Sequence, residues 1–438
     1  MEPRLQRRYK CLIAGHLSDA DRLAAGLRAL PESAEPFAAA QAAWRFYSNP
    51  AVNLPVLAEP LIAAAKAAVR ETCQDYALMV LDWSLLHFTH HGSKRDRIEL
   101  AHRQDRGYKL LTALAVSDTT GQPLAPVCLE LEAMDGLHST RAGAPLAALS
   151  PLDGLGPVMS YVEGLQLGRP LAWLIDREAD SVRHLREWAA AARHFIVRAN
   201  DAPRVICAGR SQALGEAAAQ VPLVKTREVK HQGDPAIQYV GEIPVLINRP
   251  ARTHRVVNGK KQHRNISGPP LSLRLIVSEV RDSTGRVLAR WLLLSNLPAQ
   301  ILAETIALWY YWRWNIESYH KLLKQAGQHL ESWQQDDAEQ LSRRLSVVAM
   351  AAVLVWRLAR DERPEAEQMR RELVRLSGRQ MKRGKGQPGY TASALLAGMG
   401  ILLPMLHLLE KHSAADLKRW ACQVLPGTWS LHESRESG

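Results

Sequence analysis

The sequence predicts an α/β protein: a mixed sheet with packed helices, a mostly β insertion, and helical regions at both ends. Three observations predict it. Apolar runs of strand length alternate with a helical stretch between residues 76 and 200. Short strand-like runs divided by turn signals fill residues 201–290. Apolar residues at helical spacing dominate the first 70 residues and the stretch beyond 363.

Taken in order, Phe37–Tyr47 reads as an Ala-rich helix that Asn49-Pro50 stops, and Leu57–Val69 reads as another. YALMVLD (76–82), KLLTALAVSD (109–118) and PLAPVCLELEAM (123–134) read as strands, with Gly121-Gln122-Pro123 as the turn joining the last two. LAWLID (171–176) reads as a buried strand, Asp180 to about Arg193 as a helix, and HFIVRAN (194–200) as a further strand. IQYVGEIPVLI and SLRLIVSEV, with the Asn258-Gly259 turn between them, belong to the insertion. WLLLSNLP (291–298) is a strand leading into one long helix from about Pro298 to Gly327. A helix over about Asp337–Arg363 and a helical tail with a loop around Lys382–Pro388 follow. The domain organisation is thus 1–70, 71–363 with its insertion at about 201–290, and 364–438.

The net charge is +12, from 56 Lys+Arg against 44 Asp+Glu. This favours a polyanionic partner, nucleic acid being the commonest, although a merely basic soluble protein has the same balance. The five cysteines are far apart and form no Cys-x-x-Cys, so neither a zinc ribbon nor a redox pair is signalled, and the spacing fits reduced thiols. No apolar run reaches the roughly 20 residues that span a bilayer. Ala394–Leu409 reads as too short and as broken by Gly398, Gly400 and Pro404. The expectation is a bacterial cytoplasmic protein with no membrane association.

Asp82 and Asp176 each end an apolar run. An acid ending a buried strand points into the crevice where α/β folds place ligands, whereas a helix cap or turn Asp is the bland alternative for either alone. Two carboxylates at adjacent strand ends can hold a divalent ion through oxygen. The third acid lies in YYWRWNIESYHKLLK (310–324). At about 100° per residue, Tyr310, Arg313, Glu317, Lys321 and Lys324 share a stripe about 80° wide. Trp309, Ile316, Tyr319, Leu322 and Leu323 take the opposite, core-facing side. A solvated face laced with Arg–Glu and Glu–Lys pairs is one reading of the stripe. A carboxylate metal ligand flanked by phosphate contacts is the other.

The spacing Tyr-x2-Arg-x3-Glu-x6-Lys, met by Tyr310, Arg313, Glu317 and Lys324, resembles the signature of the insertion-sequence-four family of DDE transposases. Lys321 matches a common family lysine. DREAD (176–180) looks like the family's second acidic motif, Asp82-Trp83-Ser84 like its first, and QAAWRFYSNPAV (41–52) like the segment before it. The resemblance covers about residues 40–360.

It implies a ribonuclease-H-like catalytic core carrying Asp82 and Asp176 on strands and Glu317 on a helix, with the β insertion between the second Asp and the Glu. It implies a DNA-end-binding N-terminal region and a dimerising C-terminal one. The three acids would hold two Mg²⁺ ions, Mn²⁺ substituting, about 3.5–4 Å apart, as in-line phosphoryl displacement requires. The implied activity is excision of an insertion sequence at its terminal inverted repeats through a DNA hairpin, and joining to target DNA by a homodimeric synaptic complex.

Trp291, in WLLLS, matches the tryptophan that holds the flipped base, a core aromatic being the alternative. Tyr310, Arg313 and Lys324 would grip the adjacent phosphate, and Arg198 matches a family arginine near the same strand. The chain departs from the family at Asn200, where a lysine is usual, and at Val182, where the relative has a histidine. RPARTHRVVNGKKQHR (249–264) and RRELVRLSGRQMKRGK (370–385) are further basic stretches, each either a phosphate contact or a solvated loop. His87, His90 and His91 read as a surface cluster rather than a zinc site. The competing functions are a catalytically weak relative that acts as a DNA-binding transposition inhibitor, and a junction-resolvase-like nuclease.

Overall fold

The computed structural model describes residues 1–18, 34–142, 150–176, 180–231, 233–257, 260–325, 327–378 and 390–424. The sheet grows outward from β1 (Ala77–His87), whose leading residues, Ala77 to Leu81, are fully buried. Asp118 sets the entry to this strand: its carboxylate accepts the N–H groups of Gln74, Asp75 and Tyr76 at 2.8–2.9 Å. β3 (Arg106–Ser117) pairs antiparallel with β1, and β4 (Pro123–Ala133) antiparallel with β3. On the other side β6 (Leu171–Ile175) runs parallel to β1, and β7 (His194–Ala199) parallel to β6. The short β2 (Ile98–Glu99) pairs with β3, and β5 (Gly136–Ser139) with β4.

The insertion is mostly β, as its turn-divided runs predict. It does not stand apart, however. β15 (Val287–Ser295) pairs with β7, β14 (Leu271–Arg281) with β15, and β11 (Asp234–Ile247) with β14, all antiparallel. β8 (Arg204–Cys207), β9 (Arg210–Ala213) and β10 (Val224–His231) complete the far edge, so one sheet of 13 strands crosses both regions. β12 (Ala251–Val257) and β13 (Lys260–Ile266) form a separate hairpin; the expected Asn258-Gly259 turn lies outside the described residues.

Helices cover the sheet. α1 (Pro3–Ser18), α2 (Ala34–Tyr47) and α3 (Leu54–Thr72) realise the helical N-terminal region. α4 (Pro151–Gly164), which the sequence reading does not anticipate, hides behind Gly154, Gly156 and Pro157, and Ser150 caps it. α5 (Val182–Ala190) falls where a helix is expected, and α6 (Leu214–Ala219) lies within the insertion. α9 (Ala338–Arg360) is buried almost all round, which explains why its apolar residues outrun a single stripe. Its buried Arg343 donates to the carbonyls of Val52 and Tyr47 at 2.8 Å, tying the N-terminal helices to the body.

His16 makes a second tie. Its ring bonds Gln328 Oε1 at 2.9 Å and the Tyr47 hydroxyl at 3.2 Å. Burial, with Arg344 nearby, holds the imidazole down at about 3. The folded pKa lies below the unfolded one, so the stabilisation is complete above about 6.5 and is lost as pH falls toward the folded value. Urea unfolding is therefore expected to lose about 1.4 kcal/mol per pH unit from this residue below about pH 6. His16→Gln should show a shallower fall, and equal slopes in the two proteins would refute the assignment.

Beyond α9, α10 (Pro364–Leu376), α11 (Ala392–Lys411) and α12 (Ala414–Val424) are helical as predicted. The loop around Lys382–Pro388, with the basic stretch leading into it, lies outside the described residues after Gly378. The expectation that Ala394–Leu409 is broken is overturned: α11 runs unbroken through Gly398, Gly400 and Pro404, and is long and apolar enough to cross a membrane by length and composition. Gly398 serves packing rather than interruption. A Cβ there would lie 2.1 Å from the Leu373 carbonyl oxygen, so the bare glycine lets α11 cross α10 closely. Gly398→Ala should cost about 1–3 kcal/mol by overpacking, read as a lowered thermal midpoint.

Candidate active site

Asp82 does not end its strand. β1 continues to His87 because Trp83–His87 stay paired with β3, from Trp83↔Leu111 to His87↔Gly107. The apolar run ends at Asp82, but the backbone ladder does not, since hydrogen bonding ignores side-chain polarity. Asp176 does follow the last residue of β6. With Leu81 opposite Ile175 in the parallel pair, the two acids are neighbours across the sheet. The rest of the DREAD motif, residues 177–179, lies outside the described residues.

The single long helix expected over 298–327 is two, α7 (Ala303–Trp312) and α8 (Trp314–Lys324), interrupted at Arg313. Arg313 keeps right-handed helical angles, φ −52° and ψ −30°, but its N–H bonds the Tyr310 carbonyl three residues back at 3.1 Å. Asn315 takes up the freed Trp312 carbonyl at 2.9 Å and reaches the Gly121 carbonyl in the β3–β4 turn at 2.6 Å. His320 fixes α8 farther along, its Nε2 lying 3.2 Å from the hydroxyl of Thr112, the β3 residue opposite Asp82. Burial, with Lys324 nearby, holds this imidazole at about 3.

The core-facing side of the helix pair is as predicted, with Trp309, Ile316, Tyr319, Leu322 and Leu323 all buried. The opposite row is not uniformly open. Tyr310 is 2% exposed and Arg313 3%, because this half of the row faces Asp82 and Asp176 on the sheet. Arg313 meets all three acids: Nη1 lies 3.1 Å from Asp82, and Nη2 lies 2.7 Å from Glu317 and 3.5 Å from Asp176. Tyr310 donates its hydroxyl to Asp176 at 3.1 Å, and Arg198 Nη1 stands 3.9 Å from the same carboxylate. The Trp291 ring meets Tyr310 edge-on at 5.9 Å. Lys324 donates to the Leu85 carbonyl and stands 3.8 Å from Glu331, pinning α8 to β1, while Lys321 is exposed. Glu331 and Thr112 carry no motif and are invisible to spacing arguments. The Arg313–Glu317 pair was visible as an i,i+4 spacing, but its two further partners were not.

The electrostatics follow from burial. The Asp82 carboxyl is pushed up to about 6, chiefly by burial and further by Asp176 and Glu317; Arg313 and the Trp83 N–H work against this. Burial disfavours charge on Arg313, yet Tyr310, Asp176 and Asp82 outweigh it and hold the guanidinium firmly protonated. Burial raises the Tyr310 phenol, keeping it a neutral donor to Asp176. Burial lowers the Lys324 ammonium, against the pull of Glu331.

Asp82, Ser84, Glu317, His320, Lys321 and Lys324 line an open cleft of about 530 Å³. Three carboxylates suit a hard divalent ion, and an acid whose ionisation is suppressed chiefly by burial, and further by like charges, is one that added cation charge would stabilise. The acids are nonetheless splayed around the guanidinium. Among the described residues, ligand atoms lying within 4.8 Å of one another occur at Asp96, Asp135 and His138 instead. Asp96 there is already engaged by the Tyr108 hydroxyl at 2.5 Å and the Ala338 N–H at 2.6 Å, a tie that stabilises the start of α9. His87 of the histidine cluster pairs with Asp105 at 2.9 Å, and His91 packs edge-on against Phe88. No protein-family model matches the chain.

Proposed function

We propose that the chain is a cut-and-paste DNA transposase of the DDE type, with a ribonuclease-H-like core, that binds the ends of an insertion sequence, cleaves them and joins them to target DNA. The observation that carries this reading is the convergence of Asp82, Asp176 and Glu317 on one buried guanidinium where β6 ends beside β1. The strand order β4-β3-β1-β6-β7, antiparallel up to β1 and parallel beyond it, supports the core assignment. Basic surface supports the substrate class. A cleft of about 640 Å³ between α1 and α2 is lined by Arg4, Arg7, Arg8 and Arg45, at a distance in sequence from the acids.

Asp82, Asp176 and Glu317 would hold two Mg²⁺ or Mn²⁺ ions, which supply activation of water or of a 3′-hydroxyl and stabilisation of the leaving oxygen. The Trp83 N–H, at 2.8 Å, orients Asp82, and the Tyr310 hydroxyl orients Asp176. Lys321 at the cleft mouth offers a phosphate contact. Trp291, half-buried beside Tyr310, offers a flat face for an unstacked base, as hairpin formation demands. A homodimer in the synaptic complex remains part of the proposal, as does a cytoplasmic, nucleoid-associated location.

The test is incubation with Mg²⁺ and DNA bearing the element's inverted repeats. Nicked, hairpin and joined products are expected. End binding without nicking would sink the enzyme reading in favour of an inhibitor. Nicks without hairpins or joining would point to a resolvase-like nuclease.

A further inference from the structure

We infer that Arg313 is an internal counter-cation which divalent ions must displace, so that metal loading of the acidic centre is coupled to the capture of a DNA phosphate. The inference rests on the proposed function and adds to it a condition for activation.

The geometry carries it. One guanidinium, 3% exposed, serves all three carboxylates at 2.7, 3.1 and 3.5 Å. Carboxylate oxygens turned toward a central guanidinium are not free to close around a metal ion. The arrangement is also incomplete for the arginine itself, since its buried Nε has no hydrogen-bond partner among the described residues. An orphan buried N–H weakens the hold of a site on its side chain. The Tyr310 and Trp314 rings each lie 5.8 Å from the guanidinium, and Trp314 is exposed. Its backbone lies at the one-residue interruption between α7 and α8.

Charge then decides the order of events. A guanidinium and two divalent ions crowded among three carboxylates carry a net positive excess, so ions entering alone compete with Arg313. A backbone phosphate offers the guanidinium a bidentate partner with the same charge as each of the carboxylates it leaves. Binding of either ligand therefore favours the other, as linkage requires.

The experiment is Mn²⁺ titration of the full chain without DNA, read as free Mn²⁺ by electron paramagnetic resonance. Arg313→Gln is expected to bind Mn²⁺ more tightly than the wild type by about 5–150-fold, the usual span of coupling between linked sites. A mixed-sequence DNA duplex should tighten Mn²⁺ binding to the wild type and leave Arg313→Gln unchanged. Equal Mn²⁺ affinity in the two proteins, with binding lost in Glu317→Gln, would overturn the inference while leaving the proposed metal site intact. Mn²⁺ binding that Glu317→Gln does not alter would overturn both. Should Arg313→Gln fail to fold, Arg313→Lys serves instead: its ammonium reaches fewer carboxylates, and Mn²⁺ should raise its thermal midpoint more than that of the wild type. No such difference would again refute the displacement.

Discussion

Glu317→Ala is expected to reduce cleavage of transposon-end DNA by about 10³-fold or more, the scale seen when one member of a catalytic unit is removed. DNA binding and thermal stability should stay close to the wild type. The separation follows from the position of the side chain. Glu317 is partly exposed, whereas Arg313, which it shares with the sheet, is buried and keeps Asp82 and Asp176 after Glu317 is gone. The fold thus loses one i,i+4 pair at a cleft wall, a loss of about 0.3–0.5 kcal/mol for a typical helix pair. Under the proposed function, the chemistry would lose one of its three carboxylate ligands. A gel assay for nicks and a mobility-shift assay on the same DNA measure the two effects separately. Persistent nicking would show that the third acid is another residue.

The elements legible in the sequence are those whose burial or capping leaves a plain local signal. β3 and β4 run as predicted because nearly every residue is buried, and α9 because Asp337 caps it, accepting the Gln340 N–H at 2.8 Å. α4 escaped because its glycines and prolines read as punctuation, although burial of Leu155, Val158, Met159 and Val162 outweighs their weak propensity. α11 reads as interrupted for the same reason, yet contact with α10 carries the helix through Gly398.

The acids were legible as a set, while their neighbourhood was not. A helical wheel separates an apolar side from a polar one, but it cannot say that the polar side of Tyr310 and Arg313 faces other protein. That depends on β1 continuing past Asp82 and on β6 lying parallel beside it, both consequences of long-range pairing. Lys324 shows the same limit. A motif lysine reads as a DNA contact, whereas here it fastens its helix to the Leu85 carbonyl.

The joint that fastens this helix at its other end is the second place where a large effect is expected. Gly121 sits in the β3–β4 turn with φ +68°, and a Cβ there would lie 2.3 Å from the Trp312 indole. Gly121→Ala combines the penalty of a left-handed backbone, about 1 kcal/mol or more, with a collision that must be relieved at about 1–3 kcal/mol. The predicted total is about 2–4 kcal/mol, visible as a lowered urea midpoint. Relief has a direction. The Trp312 ring packs against the core, so its withdrawal shifts the end of α7, and the Asn315 side chain, bonded at once to the Trp312 and Gly121 carbonyls, transmits that movement to α8. Glu317 then leaves its place on the Arg313 guanidinium that it shares with Asp82, and under the proposed function a displacement of about 1 Å at the reacting centre would cost about 10²-fold in rate. Gly121→Ala should therefore lower cleavage well beyond what its population of unfolded protein explains. Trp312→Leu in the same chain removes the colliding ring and should recover part of the stability. A double variant no more stable than Gly121→Ala would show that the backbone angle, and not the indole, sets the cost.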